Sequence, residues 1–123
     1  MSHSAIILFA HGARDPAWAL PFKAIQAAVA ASDQTKKVEL AFLELMQPAL
    51  PDVAERLIQE GVQSITVVPL FMAQGGHLKK DLPVLLDALR DQHPEVNVTL
   101  TPAIGDVPEL TQAIAQWVIQ VAV

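Results

Sequence analysis

Residues 4–16 read SAIILFAHGARDP, and the change of character at His11 decides how the chain folds. Residues 4–10 form a near-continuous apolar run of strand length, the pattern of a strand covered on both faces. Asp15-Pro16 then supplies a helix N-cap followed by proline at the first helical position, which predicts a helix over about 16–32. Strand, short polar turn and helix make one βα unit. His11 and Arg14 stand in its turn.

The same alternation repeats to the end of the chain. KVELAFLE at 37–44 predicts a second strand whose polar residues suit a half-covered edge. Pro48 opens a second helix, PALPDVAERLIQE, which Gly61 ends. SITVVPLF at 64–71 is a third strand, again almost wholly apolar, and a helix follows from about Asp81 to Gln92, with Asp81 and Pro83 as its start signals. VNVTL at 96–100 alternates cleanly, and the last helix opens where Asp106 and Glu109 are spaced as a capping box. The βαβαβαβα pattern predicts a parallel sheet with helices on both faces. Placing the two most apolar strands at the centre, with right-handed crossovers, gives the order 2-1-3-4. That is the flavodoxin-like order shortened by one strand.

Composition bounds the rest. A length of 123 residues suits a single domain over 1–123 with one core. A net charge of −5 argues against a nucleic-acid partner, and the lack of cysteine removes disulfides, zinc–thiolate sites and thiolate nucleophiles. The apolar run AIILFA is short and has no basic residue before it, so neither a signal peptide nor a membrane span is expected. The expected setting is the cytoplasm. A hydrophobic fraction of 52% points to apolar surface covered by a partner subunit. The last helix agrees, because LTQAIAQWVIQVAV carries no charge after Glu109 and sets Trp117 among aliphatics.

In sheets of this kind ligands bind outside the carboxyl ends of the strands, where the strand order reverses. His11 and Arg14 follow the first strand, Glu44 ends the second, and Gly75, Gly76, His77, Lys79 and Lys80 follow the third. At ~4.8 Å per strand these groups share a mouth roughly 10 Å across. Each also has a plainer reading. Glu44 suits an edge strand, the two lysines a solvated loop, and Gly12, Gly75 and Gly76 tight turns. The glycines make neither a GxGxxG nor a GxxxxGK[ST] motif. His3 and His93 fit solvated loop positions, and His93 precedes Pro94 in a turn.

Two imidazoles with a carboxylate ligate divalent Co, Ni, Fe or Zn, and the same groups accept protons near neutral pH. That combination suits metal insertion into a tetrapyrrole, which releases two pyrrole protons. Arg14, Lys79 and Lys80 are then placed to pair with substrate carboxylates.

The stretches LFAHGARDP, AFLEL with QPALPD, VVPLFMAQGGHLKKDLP and TPAIGDVPEL run nearly end to end in one order and spacing. With them the chain resembles the short, CbiX-type sirohydrochlorin chelatases of the class II chelatase family. The resemblance implies a chelatase-like half-unit and an ATP-independent enzyme with no permanently bound cofactor. It would insert Co²⁺, or in relatives Fe²⁺ or Ni²⁺, into sirohydrochlorin in cobalamin or siroheme synthesis. It implies that His11, His77 and Glu44 are catalytic and metal-binding, with Gly75, Gly76 and the basic side chains near the substrate. Longer relatives contain two copies of the unit, so a homodimer with the macrocycle between subunits is expected. Ala13 departs from the commoner HGSR form of HGAR and removes a hydroxyl from the turn.

Three rivals remain in other classes. A non-catalytic tetrapyrrole or metal carrier would use the same ligands and is separated by turnover. A flavodoxin-like binding module would bind flavin. A histidine phosphotransfer enzyme needs arginine directly before the histidine, where Ala10 stands.

Overall fold

The computed structural model describes residues 3–122, apart from the side chain of His77. Four strands, β1 (Ser4–Ala10), β2 (Lys37–Phe42), β3 (Ser64–Pro69) and β4 (Asn97–Leu100), form an all-parallel sheet in the order β2-β1-β3-β4. The register sets Leu8 of β1 between Leu40 of β2 and Val68 of β3. The apolar strands are therefore central, and those with polar interruptions form the edges.

Each face of the sheet builds its own core. On one face Ile7, Phe9, Ile65 and Val98 meet helices α2 (Leu50–Gln59) and α3 (Gly76–Gln92). Leu57 and Leu86 from those helices are fully buried, a gain of roughly 1.5–3 kcal/mol each. On the other face Leu8, Leu40 and Phe42 meet Phe22 of α1 (Leu20–Ser32) and the 3-10 turn Pro16–Ala19 that precedes it. This second layer lies over β1 and β2. Thr66 and Val68 of β3 are half-covered there, and Thr99 of β4 is exposed.

Helix boundaries show which local signals won. The Asp15 side chain accepts from the Ala17 N–H at 2.9 Å, so the predicted cap forms, over a 3-10 turn that leads into α1. Helix α2 starts at Leu50 rather than Pro48, with Pro51 in its first turn. It ends at Gly61, where the Gly61 N–H reaches the Ile58 carbonyl and the Val62 N–H reaches Leu57, the two bonds of a Schellman motif.

Helix α3 begins at Gly76, five residues before the expected start, and Pro83 lies inside it. The apolar stripe explains the difference. Leu78, Leu82, Leu86 and Leu89 share one face against the core, so burial carries the helix back past Asp81. The expected capping box does not form, because Val107 is the N-cap of helix α4 (Pro108–Val121) and Asp106 belongs to a second 3-10 turn, Ile104–Asp106. Proline, preorganised for the first helical position, sets the start at Pro108, one residue too late for Asp106 to cap it.

His93 does more than form a turn. It is the C-cap of α3, and its Nε2 lies 2.6 Å from Glu55 Oε1 of α2. That hydrogen bond, helped by the neighbouring charges of Glu55 and Glu95, raises the imidazole pKa above its ordinary value. Among the described residues no helix is long and apolar enough to cross a membrane.

Candidate active site

β1 and β2 do not part where their regular ladder ends. The Leu43 N–H donates to the Ala10 carbonyl at 2.9 Å, and the Glu44 N–H donates to the His11 carbonyl at 3.1 Å. The pairing thus runs two residues into the turns and carries Glu44 beside His11. Gly12 permits the approach. Its φ is +96°, and a Cβ built there would lie 1.8 Å from the Glu44 carbonyl oxygen. Glycine is required on both counts.

The side chains follow from that backbone. His11 Nε2 lies 3.8 Å from Glu44 Oε1, and the two side chains are 55% and 58% exposed. The separation is too long for a hydrogen bond. Neither group is consumed by the other, so both present free lone pairs to an incoming cation or proton. Behind His11 stands Phe71, buried just after β3, whose ring meets the imidazole edge-on at a centroid distance of 5.5 Å. A wall of this kind limits ring rotation without taking up either nitrogen.

Residues 43–45 divide the mouth. On one side a cavity of about 290 Å³ is lined by His11, Leu43, Gly75, Gly76 and Asp81. On the other a cavity of about 270 Å³ is lined by Arg14, Lys23, Phe42 and Leu45. Leu45 has a φ of 65° and is 59% exposed, a strained backbone holding an apolar side chain in solvent. Leu43 and Met72 are also well exposed after β2 and β3. The mouth is therefore apolar at its rim and basic on one flank, with His11 and Glu44 exposed in the middle.

The expected residues divide into four groups. His11 and Glu44 are brought together, and Gly75 and Gly76 border the cavity that His11 lines. Arg14 lines the second cavity. Lys79 and Lys80 are exposed on the first turns of α3, not on a loop, and line neither cavity. The backbone of His77 is in the first turn of α3, and its expected role as a ligand rests on a side chain outside the described residues. Among the described residues no three His, Cys, Asp or Glu side chains gather as a metal site.

Sequence reading missed Phe71, Lys23 and Leu45. Phe71 looked like the end of a strand, and Lys23, which lines the second cavity with Arg14, carried no signal. Leu45 has a side chain that gives no hint of a positive φ.

An α/β sheet carries an imidazole and a carboxylate exposed at its switch point, inside an apolar and partly basic rim. The chain belongs to the CbiX family, whose model matches residues 5–121. It is 34% identical over 82 residues to the sirohydrochlorin cobaltochelatase of Methanopyrus kandleri, covering 67% of this chain and 57% of that protein. To the sirohydrochlorin cobaltochelatase of Saccharolobus solfataricus it is 31% identical over 106 residues, covering 81% of each. Among solved structures, a CbiX protein of Marinobacter aquaeolei VT8 superposes with a TM-score of 0.82 at 36% identity, with 95% of both chains covered. The sirohydrochlorin chelatase SirB of Bacillus subtilis subspecies spizizenii, in complex with cobalt, gives 0.79 at 25% identity. That match covers 99% of this chain and 52% of SirB, so the present chain is about half as long.

Proposed function

We propose that this chain is an ATP-independent chelatase that inserts a divalent metal, Co²⁺ foremost, into sirohydrochlorin. Its pathway would be cobalamin or siroheme synthesis, as the family resemblance implies, and its setting the cytoplasm. The observation that carries the reading is the His11–Glu44 pair, held 3.8 Å apart by paired turns yet open to the mouth. The names of the relatives support the substrate, and the cobalt complex of SirB supports the metal.

In this mechanism the flat face of the macrocycle lies against the apolar rim of Leu43, Leu45 and Met72, all exposed. Its peripheral carboxylates meet Arg14, with Lys79 and Lys80 further out on α3. His11 and Glu44, with His77 as the family resemblance implies, hold the metal or accept the two protons that leave as the metal–nitrogen bonds form. Metal and ring exchange charge evenly, since two positive charges enter and two protons depart. The backbone of Gly75 and Gly76 lets the ring come close to the start of α3.

The functional unit in this reading is a homodimer. Cavities of about 270 and 290 Å³ fall just below the usual range for ligand pockets, roughly 300–1,000 Å³, and both are open. A macrocycle bearing many carboxylates needs the upper part of that range. A facing copy supplies the missing wall.

The test is anaerobic metal insertion, with sirohydrochlorin in excess over protein, followed by absorbance as Co²⁺, Fe²⁺ or Ni²⁺ is added. Multiple turnover is expected, with single substitutions His11→Ala, His77→Ala and Glu44→Gln each lowering the rate at least ~100-fold. Conversion no faster than in buffer, or near-normal rates in all three variants, would remove the assignment. Binding of the ring without turnover would instead identify a carrier.

A further inference from the structure

Cations without partners gather at one end of the sheet. The chain has eight lysines and arginines. Lys36, Lys37, Arg56 and Arg90 each meet a carboxylate within 3.1 Å, away from the mouth. The other four, Arg14, Lys23, Lys79 and Lys80, have no carboxylate partner among the described residues, and all stand just after β1 or β3 or in the first turns of the helices that follow. Residues 43–45 then sort the mouth by charge. The cavity of about 290 Å³ that His11 lines has one acid in its lining, Asp81, and no lysine or arginine. The cavity of about 270 Å³ has Arg14 and Lys23 in its lining and no acid. One side suits a cation, and the other suits an anion.

Local structure holds the basic cavity in shape. The Asp15 cap fixes the 3-10 turn that Arg14 precedes. Ala19, buried in the second core, and Lys23 lie one helical turn apart, so the Lys23 stem leaves the core on the side of the cavity that both residues line. Phe22 anchors the same turn, its ring 4.5 Å from that of Trp18. The opposite wall is a closed loop, in which the Phe42 N–H donates to the Pro48 carbonyl at 2.9 Å and the Met46 N–H to the Glu44 carbonyl at 2.8 Å. Phe42, Leu45 and Met46 thus give an apolar lining below two exposed cations, and Gln47 adds an amide. Methylenes fit against the first and a carboxylate against the second.

We propose that this cavity seats the adjoining carboxylate arms of one pyrrole ring of the macrocycle, with Lys23 as a specificity-determining residue that pairs with one arm while Arg14 pairs with the other. The proposal rests on the chelatase reading and deepens it by naming where one edge of the ring is held. Size agrees. At ~30 Å³ for each water-sized group, about 270 Å³ is too little for a macrocycle but has room for about nine heavy atoms, roughly those of an acetate and a propionate arm together. One consequence concerns the site. Arms anchored here lay the body of the ring across residues 43–45, the segment that carries Glu44, so Lys23 selects for carboxylate arms and sets the register of the ring at once.

The test reads binding without metal, by fluorescence titration of sirohydrochlorin and of its methyl ester in one detergent buffer, so it does not depend on turnover. Lys23→Gln should weaken binding of the free acid about 10-fold, the lower end for a charge-assisted hydrogen bond because Lys23 is exposed. Binding of the ester, whose arms carry no charge, should change less than about twofold. Lys23→Arg keeps the charge and should recover most of the lost affinity. Lys36→Gln removes a charge that pairs with Asp33 away from the mouth, and should leave both affinities as they are. An equal loss for acid and ester would make Lys23 a structural residue and overturn the proposal. Full affinity for the acid in Lys23→Gln, or an equal loss in Lys36→Gln, would show that no arm sits in the cavity. The chelatase reading fails separately. A protein that gives the expected pattern but does not metallate the ring keeps the arm site and loses the reaction, whereas a wild type that does not bind the ring loses both.

Discussion

Replacing Gly12 by alanine puts the construction of the site to a direct test. A carbon atom does not sit within 3.0 Å of a carbonyl oxygen, and the new Cβ would begin 1.8 Å from that of Glu44. The turns after β1 and β2 must separate by about 1 Å or more, which stretches the Glu44 N–H to His11 carbonyl bond past its limit of ~3.2 Å. Losing that bond costs about 1 kcal/mol. Holding alanine at a φ of +96° costs about 1–2 kcal/mol more. Urea unfolding should therefore show a loss of roughly 2–3 kcal/mol in all. Gly75→Ala, whose Cβ meets nothing within 4 Å, should stay within ~0.5 kcal/mol of wild type. Turnover at saturating sirohydrochlorin should fall by about 100-fold in Gly12→Ala, because a displacement of ~1 Å between groups that act together is enough for that. If Gly12→Ala unfolds at the wild-type midpoint and keeps turnover within about twofold, the two turns are not what positions Glu44 beside His11, and the reasoning fails.

Other substitutions probe the strain, the core and the charge pairs. Leu45→Gly should raise stability by roughly 0.5–1 kcal/mol in thermal unfolding, by relieving the positive φ, while raising KM for the macrocycle; a loss of stability would mean that no strain is held there. Leu86→Ala, at a fully buried position of α3, should cost about 2–5 kcal/mol in urea unfolding, whereas His11→Ala, half in solvent, should cost less than about 0.5 kcal/mol. The raised pKa of His93 means that its pair with Glu55 stabilises the fold fully below the unfolded histidine value and is lost as pH rises through the folded value. The stability gap between wild type and Glu55→Gln should accordingly be widest near pH ~5.5 and close by pH ~9; a gap that does not change with pH would show that the imidazole is not charged in the pair.

The sequence by itself determined the sheet. Apolar runs at 4–10 and 64–71 suit buried central strands, and the polar interruptions at 37–44 and 96–100 suit edges, so the order and the switch point follow from burial together with right-handed crossovers. The same logic drew attention to His11 and Glu44, because strand ends at a switch point converge whatever the helices do. Tertiary structure decided the rest. Helix α3 reaches back to Gly76 because Leu78 finds the core, a gain that no local start signal records. Phe71 meets His11 across 60 residues of chain, Lys23 shares a cavity with Phe42 and Leu45, and Gly12 matters because another backbone lies 1.8 Å from where its Cβ would be. The last helix shows the division most plainly. Its composition says that it must be covered, but only the fold shows that its own sheet does not cover it, because burial is a property of pairs of surfaces and a sequence carries one surface at a time.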